Sequence, residues 1–289
     1  MRVDYQNFMI FFTFLLFWIG IQFGQIIEDS IAYVIVLSIG IIHGSNDFTI
    51  LKKQQKNTSS FLKSTIFYLF LIIFCVGSYL INSFLAILFF ILLSSYHFGE
   101  QHLERKVSGP ELLKNVVYII YGLLIFSLIF IGNLDEVDQI MMNLTGFIIP
   151  EIIINTIFLI SASVLGILYG YHLIKKTASK INIIRELFYI ILLYLVFKTS
   201  SLILGFAIYF VLWHSIPSII DQTKFLSGQH SNQTILNYIK TALVYWIISI
   251  VGLLIAYFYL SENYFNSIVF LMLFAVTTPH VWVMHRMRE

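Results

Sequence analysis

Charged residues are scarce in this chain, and cysteine is almost absent. Asp, Glu, Lys and Arg together occupy 11% of the 289 positions, whereas a soluble globular protein has about 25%. So few charges cannot cover the surface of a water-soluble chain of this length. Cys75 is the one cysteine, so neither an internal disulfide nor a CxxC metal site can form. The net charge of +2 is too small to indicate a nucleic-acid partner.

Several familiar catalytic motifs are also missing from the sequence. It contains no Walker A motif, no GxGxxG followed by an acidic residue, no GxSxG and no HExxH. The multiple HxxxH and HxxHH boxes of membrane desaturases are absent too. No Pro/Gly/Ser-rich linker and no internal repeat divides the chain, so we expect a single transmembrane domain over residues 1–289.

Long apolar runs fill the chain instead, and hydrophobic residues reach 59%. Because about 20 apolar residues cross a bilayer core, the runs predict an all-α, polytopic integral membrane helical bundle of about ten transmembrane helices. The first run lacks a signal-peptide cleavage site and is interpreted as a span. The predicted spans are Phe8–Ile27, Ile31–Leu51, Phe61–Ile81, Ser83–Gln101, Asn115–Gly132, Gly146–Leu173, Ile183–Phe197, Ser201–Ile220, Ile235–Leu260 and Tyr264–Met284.

Basic residues fall on one side of this predicted topology. With ten spans, every Lys and Arg except Lys198 lies on the side shared by both termini. The loops on the other side are acidic or neutral and carry Glu28–Asp29, Asp135–Glu136–Asp138 and Glu262. Positive charge accumulates on the cytoplasmic side of membrane proteins. The pattern therefore predicts a multi-pass protein of the inner (plasma) membrane with both termini cytoplasmic.

The eight histidines fall into two groups of four. One group lies near basic residues at predicted helix ends or in loops, where an interfacial or solvated histidine is the ordinary interpretation: His102, His172, His230 and His285. The other group lies on even-numbered spans, about 18–24 Å below the predicted outer face at about 1.5 Å per residue: His43, His97, His214 and His280. A single such histidine is usually a packing residue, but ionisable groups inside a membrane mark function. Four at one depth predict a metal site for iron, zinc or copper.

Polar and aromatic neighbours of these four histidines are candidate supports. Asp47 follows His43 by four residues, and Glu100 follows His97 by three. Either carboxylate is a candidate acceptor for the second N–H of the imidazole, or else a charge at a helix end. The aromatic residues beside the histidines are either ordinary packing residues or the lining of an apolar substrate tunnel: Tyr96, Phe98, Tyr209, Phe210 and Trp213.

Glycine and proline also accompany the histidines. Gly44 and Gly99 lack side chains, which predicts a close approach of helices or of a ligand at both positions. Pro217 and Pro279 predict bent or unwound helices. Irregular backbone at membrane depth is tolerated only where it is buried or lines a cavity.

Four short segments carry a family resemblance that spans nearly the whole chain. They are HGSND at 43–47, YHFG at 96–99, YFVLWHS at 209–215 and PH at 279–280. In this order they resemble the bacterial and archaeal membrane β-carotene 15,15'-dioxygenases, the Brp/Blh family. The resemblance implies a non-haem iron enzyme that cleaves the central double bond of β-carotene with O₂ and yields two retinal molecules. Retinal is the chromophore of microbial rhodopsins, so a functional link to such a rhodopsin is implied as well.

The resemblance also implies a ligand set, with one departure. His43, His97 and His214 match iron-ligand positions of the family. The family typically has another histidine four residues after its WHS histidine, and this chain has Ser218 there. Either His280 completes the Fe(2+) site, with Ser218 beside it, or the chain is a divergent member with altered activity.

Two other functions remain open at this point. A transporter or channel for a metal ion or proton would favour a polar path that reaches both membrane faces. Here the intramembrane histidines share one predicted level, and the outer half has few ionisable residues, which argues for a blind site. Ser218 is the best argument for a member that binds carotenoid or membrane lipid without catalysis.

Overall fold

Helices make up the fold, and no strand occurs among residues 5–55, 57–175, 182–229, 231–259 and 262–288, which the computed structural model describes. Two π-helical segments interrupt the α-helices, at Val36–Gly40 and Tyr209–Ser215. The α-helices are α1 (Tyr5–Phe23), α2 (Gln25–Ile35), α3 (Ile41–Gly44), α4 (Asp47–Gln54), α5 (Thr58–Ile81), α6 (Ser83–Leu103), α7 (Glu111–Gly132), α8 (Leu134–Thr145), α9 (Glu151–Lys175), α10 (Ile183–Thr199), α11 (Leu202–Ile208), α12 (Ile216–Ser227), α13 (Asn232–Tyr259) and α14 (Glu262–Arg288).

These helices group into two units, each assembled from segments that are distant in the chain. The first unit contains the described residues up to Ile35 together with those of Ile91–Met142 and Gly146–His214. Within it, α7 packs against α9 and α10, and α11 packs against α2. The second unit contains Val36–Phe90, Asn143–Thr145 and the described residues from Ser215 onward. Within it, α14 packs against α5 and α4, and α13 packs against α3 and α12. The single domain expected over residues 1–289 stays a prediction.

Nine helical stretches in the described part of the chain are long and apolar enough to cross a membrane. Two of them join several labelled helices: Gln25–Gln54 contains α2, α3 and α4, and Leu202–Ser227 contains α11 and α12. The prediction of an all-α, polytopic membrane protein is therefore confirmed. The seventh predicted span, Ile183–Phe197, forms α10, which has 17 residues and is shorter than all of these nine. The other predicted spans each overlap one of the nine, with ends that differ by several residues in some cases. Leu260, the predicted end of the ninth span, lies outside the described residues.

The predicted loop at Glu28–Asp29 is wrong, because both residues lie within α2. Gly24 separates α1 from α2 and has a φ of 75°, a left-handed conformation that glycine adopts at little cost. The turn is therefore made by one residue, and the helix resumes at Gln25. Apolar content alone could not locate the turn, since apolar residues continue on both sides of it, with Phe23 before and Ile26 and Ile27 after.

A second predicted loop, around Asp135–Glu136–Asp138, forms the beginning of α8. Acidic side chains near a helix N-terminus are stabilised by the helix dipole. Gly146, with a φ of 75°, ends α8, and Pro150 directly precedes α9. The sixth transmembrane helix consequently begins at Glu151, not at the predicted Gly146.

Acidic residues from the first unit fix the N-terminus of α11, the helix that leads to His214. The backbone N–H of Ser201 donates to the Glu28 carboxylate at 2.5 Å, and its hydroxyl donates to Asp29 at 2.9 Å. The N–H of Leu202 donates to Glu136 at 3.1 Å. Because the first N–H groups of a helix have no partner within the helix, these carboxylates hold α11 in place.

The predicted orientation of the termini can be tested with reporter fusions. We expect a fusion at Asp135 to report the outer side and a fusion at Arg288 to report the cytoplasmic side, since basic residues favour the cytoplasmic face. Alkaline phosphatase and green fluorescent protein fusions, active on opposite sides, provide the measurement. Both fusion sites reporting the same side would contradict the ten-span topology. Arg2, Lys56, Lys176 and Lys180, which contribute to the charge pattern, lie outside the described residues.

Candidate active site

Two of the four predicted histidines meet in the second unit. His43 lies on α3 and His280 on α14, and their rings are 4.8 Å apart at an angle of 83°. The two residues are 6% and 2% exposed. The Nδ1 atom of His43 is 2.5 Å from the carbonyl oxygen of Gly40. Because a carbonyl oxygen only accepts, Nδ1 carries the proton, and the neutral ring then has its lone pair on Nε2.

His280 is oriented by a carboxylate. Its Nδ1 atom is 2.8 Å from Oδ1 of Asp47, and the hydroxyl of Tyr68 donates to Oδ2 of the same carboxylate at 3.0 Å. Asp47 is 1% exposed. A carboxylate that accepts the Nδ1–H of a histidine fixes the tautomer and makes Nε2 a stronger base, as in many metal sites. His280 therefore also presents its lone pair on Nε2.

For Asp47 the sequence leaves two alternatives, an acceptor for the His43 N–H or a charge at a helix end. Asp47 does begin α4, but the imidazole that it binds is that of His280 and not that of His43. The four-residue spacing places two side chains on one helix face only if the helix is continuous. Here α3 ends at Gly44, and α4 begins again at Asp47. The carboxylate consequently contacts α14 and binds His280, while His43 uses the Gly40 carbonyl at the end of the π-helical segment.

A polar network holds the backbone of His43 in the second unit. The carbonyl oxygen of His43 accepts from the Gln222 amide at 2.9 Å and from the Tyr238 hydroxyl at 3.1 Å. Gln222 also donates to the Ser218 hydroxyl at 3.0 Å, and the Ser218 oxygen is 4.0 Å from the sulfur of Met284. Ser218 thus supports the network around His43. Neither Gln222 nor Tyr238 was identified from the sequence, because they lie 179 and 195 residues from His43.

The other two predicted histidines meet in the first unit. His97 on α6 and His214 in the π-helical segment Tyr209–Ser215 have rings 4.6 Å apart at an angle of 74°. Each is 1% exposed. Phe98 lies 4.7 Å from the His214 ring and Phe210 lies 5.8 Å from it, nearly parallel. A π-helical turn often occurs at a functional site, and here it places His214 among aromatic rings.

The remaining predicted neighbours in the first unit differ in their contacts. The Oε2 atom of Glu100 is 3.9 Å from Nδ1 of His97. The other carboxylate oxygen of Glu100 accepts a hydrogen bond from the Tyr96 hydroxyl at 3.0 Å. A separation of 3.9 Å is too long for a direct hydrogen bond. Tyr209 packs 5.3 Å from Phe98. Trp213 is a packing residue, since its indole N–H donates to Thr13 at 3.0 Å and its ring contacts Tyr189.

His102 belongs to a part-buried cluster with Lys106 and Glu186 that no local sequence pattern indicates. Its Nε2 atom is 2.7 Å from Glu186, and the ammonium of Lys106 donates to the other oxygen of Glu186 at 2.7 Å. The His102 ring also stacks on Tyr121 at 4.6 Å. Burial lowers the pKa of Lys106, and the Glu186 charge opposes that shift. His102 thus packs against Tyr121 and hydrogen-bonds to Glu186, while His230 lies outside the described residues.

The donor atoms can be compared with what a metal ion requires. Neutral imidazole is the commonest nitrogen ligand for iron, zinc and copper, and the tautomers of His43 and His280 leave Nε2 as the donor atom. The chemical type of these donor atoms therefore fits a metal ion. Over the described ranges, no group of three or more His, Cys, Asp or Glu side chains is arranged to hold an ion. The set of four histidines as ligands stays a prediction.

Comparison with known proteins identifies the family. The family model described as beta-carotene 15,15'-dioxygenase matches residues 34–288, a range that includes all four histidines of the two pairs. No curated protein and no solved structure matches the chain significantly. Since the match covers most of the chain, this helical membrane protein belongs to the β-carotene 15,15'-dioxygenase family.

Proposed function

We propose that this protein cleaves the central double bond of β-carotene with O₂ and releases two molecules of retinal. The observation that carries the proposal is the family match over residues 34–288, within which all four intramembrane histidines are buried. The reaction balances because one C=C bond is broken and each new aldehyde receives one oxygen atom of O₂. Retinal made in the inner membrane would be available to a microbial rhodopsin as its chromophore.

The proposed cofactor is Fe(2+), held by His43, His97, His214 and His280. Bound iron supplies the one-electron chemistry through which O₂ reacts with a polyene. The protein's own contribution is to hold the imidazoles neutral and oriented. His43 does so through the Gly40 carbonyl, and His280 through Asp47. All four side chains are almost fully buried, so water is kept from the reacting carbons.

The proposed substrate suits a site that lies within apolar helices. β-Carotene is a hydrocarbon that partitions into the bilayer, so an intramembrane site receives it without transfer through water. In the first unit, Phe98 and Phe210 flank His214 with their rings. Aromatic and apolar side chains are the usual lining of sites for such ligands. We propose that these two rings contact the polyene beside His214.

Retinal formation by the purified protein tests this proposal. The protein in detergent is loaded with Fe(2+), supplied with β-carotene and O₂, and the products are separated by chromatography. We expect two retinal molecules for each β-carotene consumed and no turnover after removal of iron with a chelator. Longer or shorter aldehydes would refute cleavage at the central bond. Tight carotenoid binding without any product would instead favour a member that binds but does not cleave.

Replacement of Ser218 tests whether the departure from the family matters for the metal. We expect Ser218→Ala to retain iron and most retinal formation, because the hydroxyl binds Gln222 and is not itself proposed as a ligand. Loss of this one hydrogen bond should cost about 1 kcal/mol of stability. Iron content per protein and the melting temperature of the variant are the measurements. If Ser218→Ala lost its iron as completely as His214→Ala, Ser218 would have to be a ligand.

A further inference from the structure

A cavity in the second unit has two lysines and several hydroxyl and amide side chains among its lining residues, although most of its lining surface is apolar. Its volume is about 330 Å³, large enough for a small polar molecule and well above the share of one water. It lies where α4 and α12 end and where α13 begins, with lining residues Lys52, Lys53, Thr223, Thr234, Asn237 and Tyr238. No local sequence pattern marks this cavity, because its residues come from three separate segments.

The charge of this cavity is positive. Lys52 and Lys53 both line it, and no Asp or Glu does. Lys53 donates to the carbonyl oxygens of Phe225 and Leu226 at 2.7 and 2.9 Å, so it neutralises the C-terminal end of α12. Lys52, the residue before Lys53, is exposed. The cavity consequently favours an anionic ligand, with Lys52 as the cation best placed to bind it.

Two threonine hydroxyls in the wall offer hydrogen-bond acceptors. Thr49 and Thr241 both line the cavity, and their hydroxyls donate to the Asn46 side-chain oxygen at 3.4 and 2.8 Å. With their protons used inside the protein, these two hydroxyl oxygens can act toward a ligand only as acceptors. A ligand that fills the cavity therefore needs hydroxyl groups of its own beside its negative charge.

The cavity lies at the ends of candidate membrane spans, which places it at the level of the membrane surface. Two candidate membrane spans end at Gln54 and Ser227, and another begins at Asn232. The ends of transmembrane helices lie at the level of the lipid headgroups. An anion at this level has two sources, a phospholipid headgroup or a soluble phosphate ester.

We propose that this cavity binds a phosphate ester whose alcohol part carries hydroxyl groups, as in a phosphoglycerol headgroup or in free glycerol phosphate. Lys52 and the amide of Asn237 bind the phosphate oxygens, and the threonine oxygens accept from the glycerol hydroxyls. The site is independent of the oxidative reaction. It shares one wall residue with the histidine network, because Tyr238 donates to the carbonyl of His43 and to Gln222.

Native mass spectrometry of the full chain in detergent tests this site, with phosphatidylglycerol, phosphatidylcholine and glycerol 3-phosphate as separate probes. We expect one phosphatidylglycerol or one glycerol 3-phosphate to bind at least about tenfold more tightly to the wild type than to Lys52→Gln, since one charge-assisted hydrogen bond is lost. Asn237→Leu removes the amide without touching either lysine and should weaken the same probe. Lys63→Gln is the matched control, because Lys63 is exposed and does not line the cavity.

The probes separate the two sources. Selective binding of phosphatidylglycerol assigns the site to a lipid headgroup, and selective binding of glycerol 3-phosphate assigns it to a soluble ester. Phosphatidylcholine, which lacks the glycerol headgroup and net charge, should bind equally to all variants. The proposal is overturned if Lys52→Gln and Asn237→Leu bind both anionic probes as tightly as Lys63→Gln does.

Discussion

Replacing His280 is expected to abolish bound iron and retinal formation as completely as replacing His214. Asp47 holds the Nδ1–H of His280 at 2.8 Å, which leaves Nε2 as the atom that can bind a metal. Changes in the outer partners of metal ligands already cost about 10–100-fold in affinity, so loss of a ligand should exceed about 100-fold. Iron per protein, measured by mass spectrometry, and retinal yield are the two measurements.

The choice of substitution at position 280 distinguishes the loss of a metal ligand from the loss of the folded structure. His280→Ala leaves the buried carboxylate of Asp47 without its imidazole partner, which destabilises the second unit. His280→Asn keeps an amide donor near the position of Nδ1 but has no atom in the place of Nε2. We expect this variant to fold, to keep the Asp47 contact and to lack iron. His285→Ala, on the same helix, is the control and should retain iron; full iron in His280→Asn would remove His280 from the ligand set.

The sequence predicted the helical class and the four buried histidines, because hydropathy and ionisable residues in apolar runs are local signals. It did not predict the partners of the imidazoles. The spacing of His43 and Asp47 indicated a contact that the break after Gly44 prevents. Gln222 and Tyr238 support His43 from more than 170 residues away, and no local pattern marks them.

The two glycines beside the histidines show the same limit of prediction from local sequence. From the sequence, Gly44 and Gly99 are equivalent, each next to a histidine segment. In the second unit, a Cβ built on Gly44 would have its nearest atom, Nδ1 of His280, at 3.9 Å, an ordinary contact. In the first unit, a Cβ on Gly99 would overlap the backbone carbonyl of Tyr118 on α7. Of these two positions, only position 99 requires glycine.

Gly99→Ala is therefore expected to prevent α6 and α7 from packing, whereas Gly44→Ala should be nearly neutral. The overlap at Gly99 is with backbone, so no rotation of a side chain relieves it, and separation of the helices should cost about 3 kcal/mol or more. Close approach of membrane helices at small residues is a main source of their association. The yield of monodisperse protein and its melting temperature in detergent are the measurements.

Gly122 on α7 provides an independent test of the same helix contact. A Cβ there would overlap the backbone of Ser95 on α6, so each helix contributes one glycine to the crossing. His97 lies on α6 between Ser95 and Gly99, and its position depends on that crossing. We expect Gly122→Ala to lower stability as much as Gly99→Ala does. Gly77→Ala, where the built Cβ has no neighbour within 4 Å, should leave stability unchanged or raise it slightly, because alanine favours a helix over glycine. Wild-type stability in both Gly99→Ala and Gly122→Ala would show that α6 and α7 do not cross at these residues.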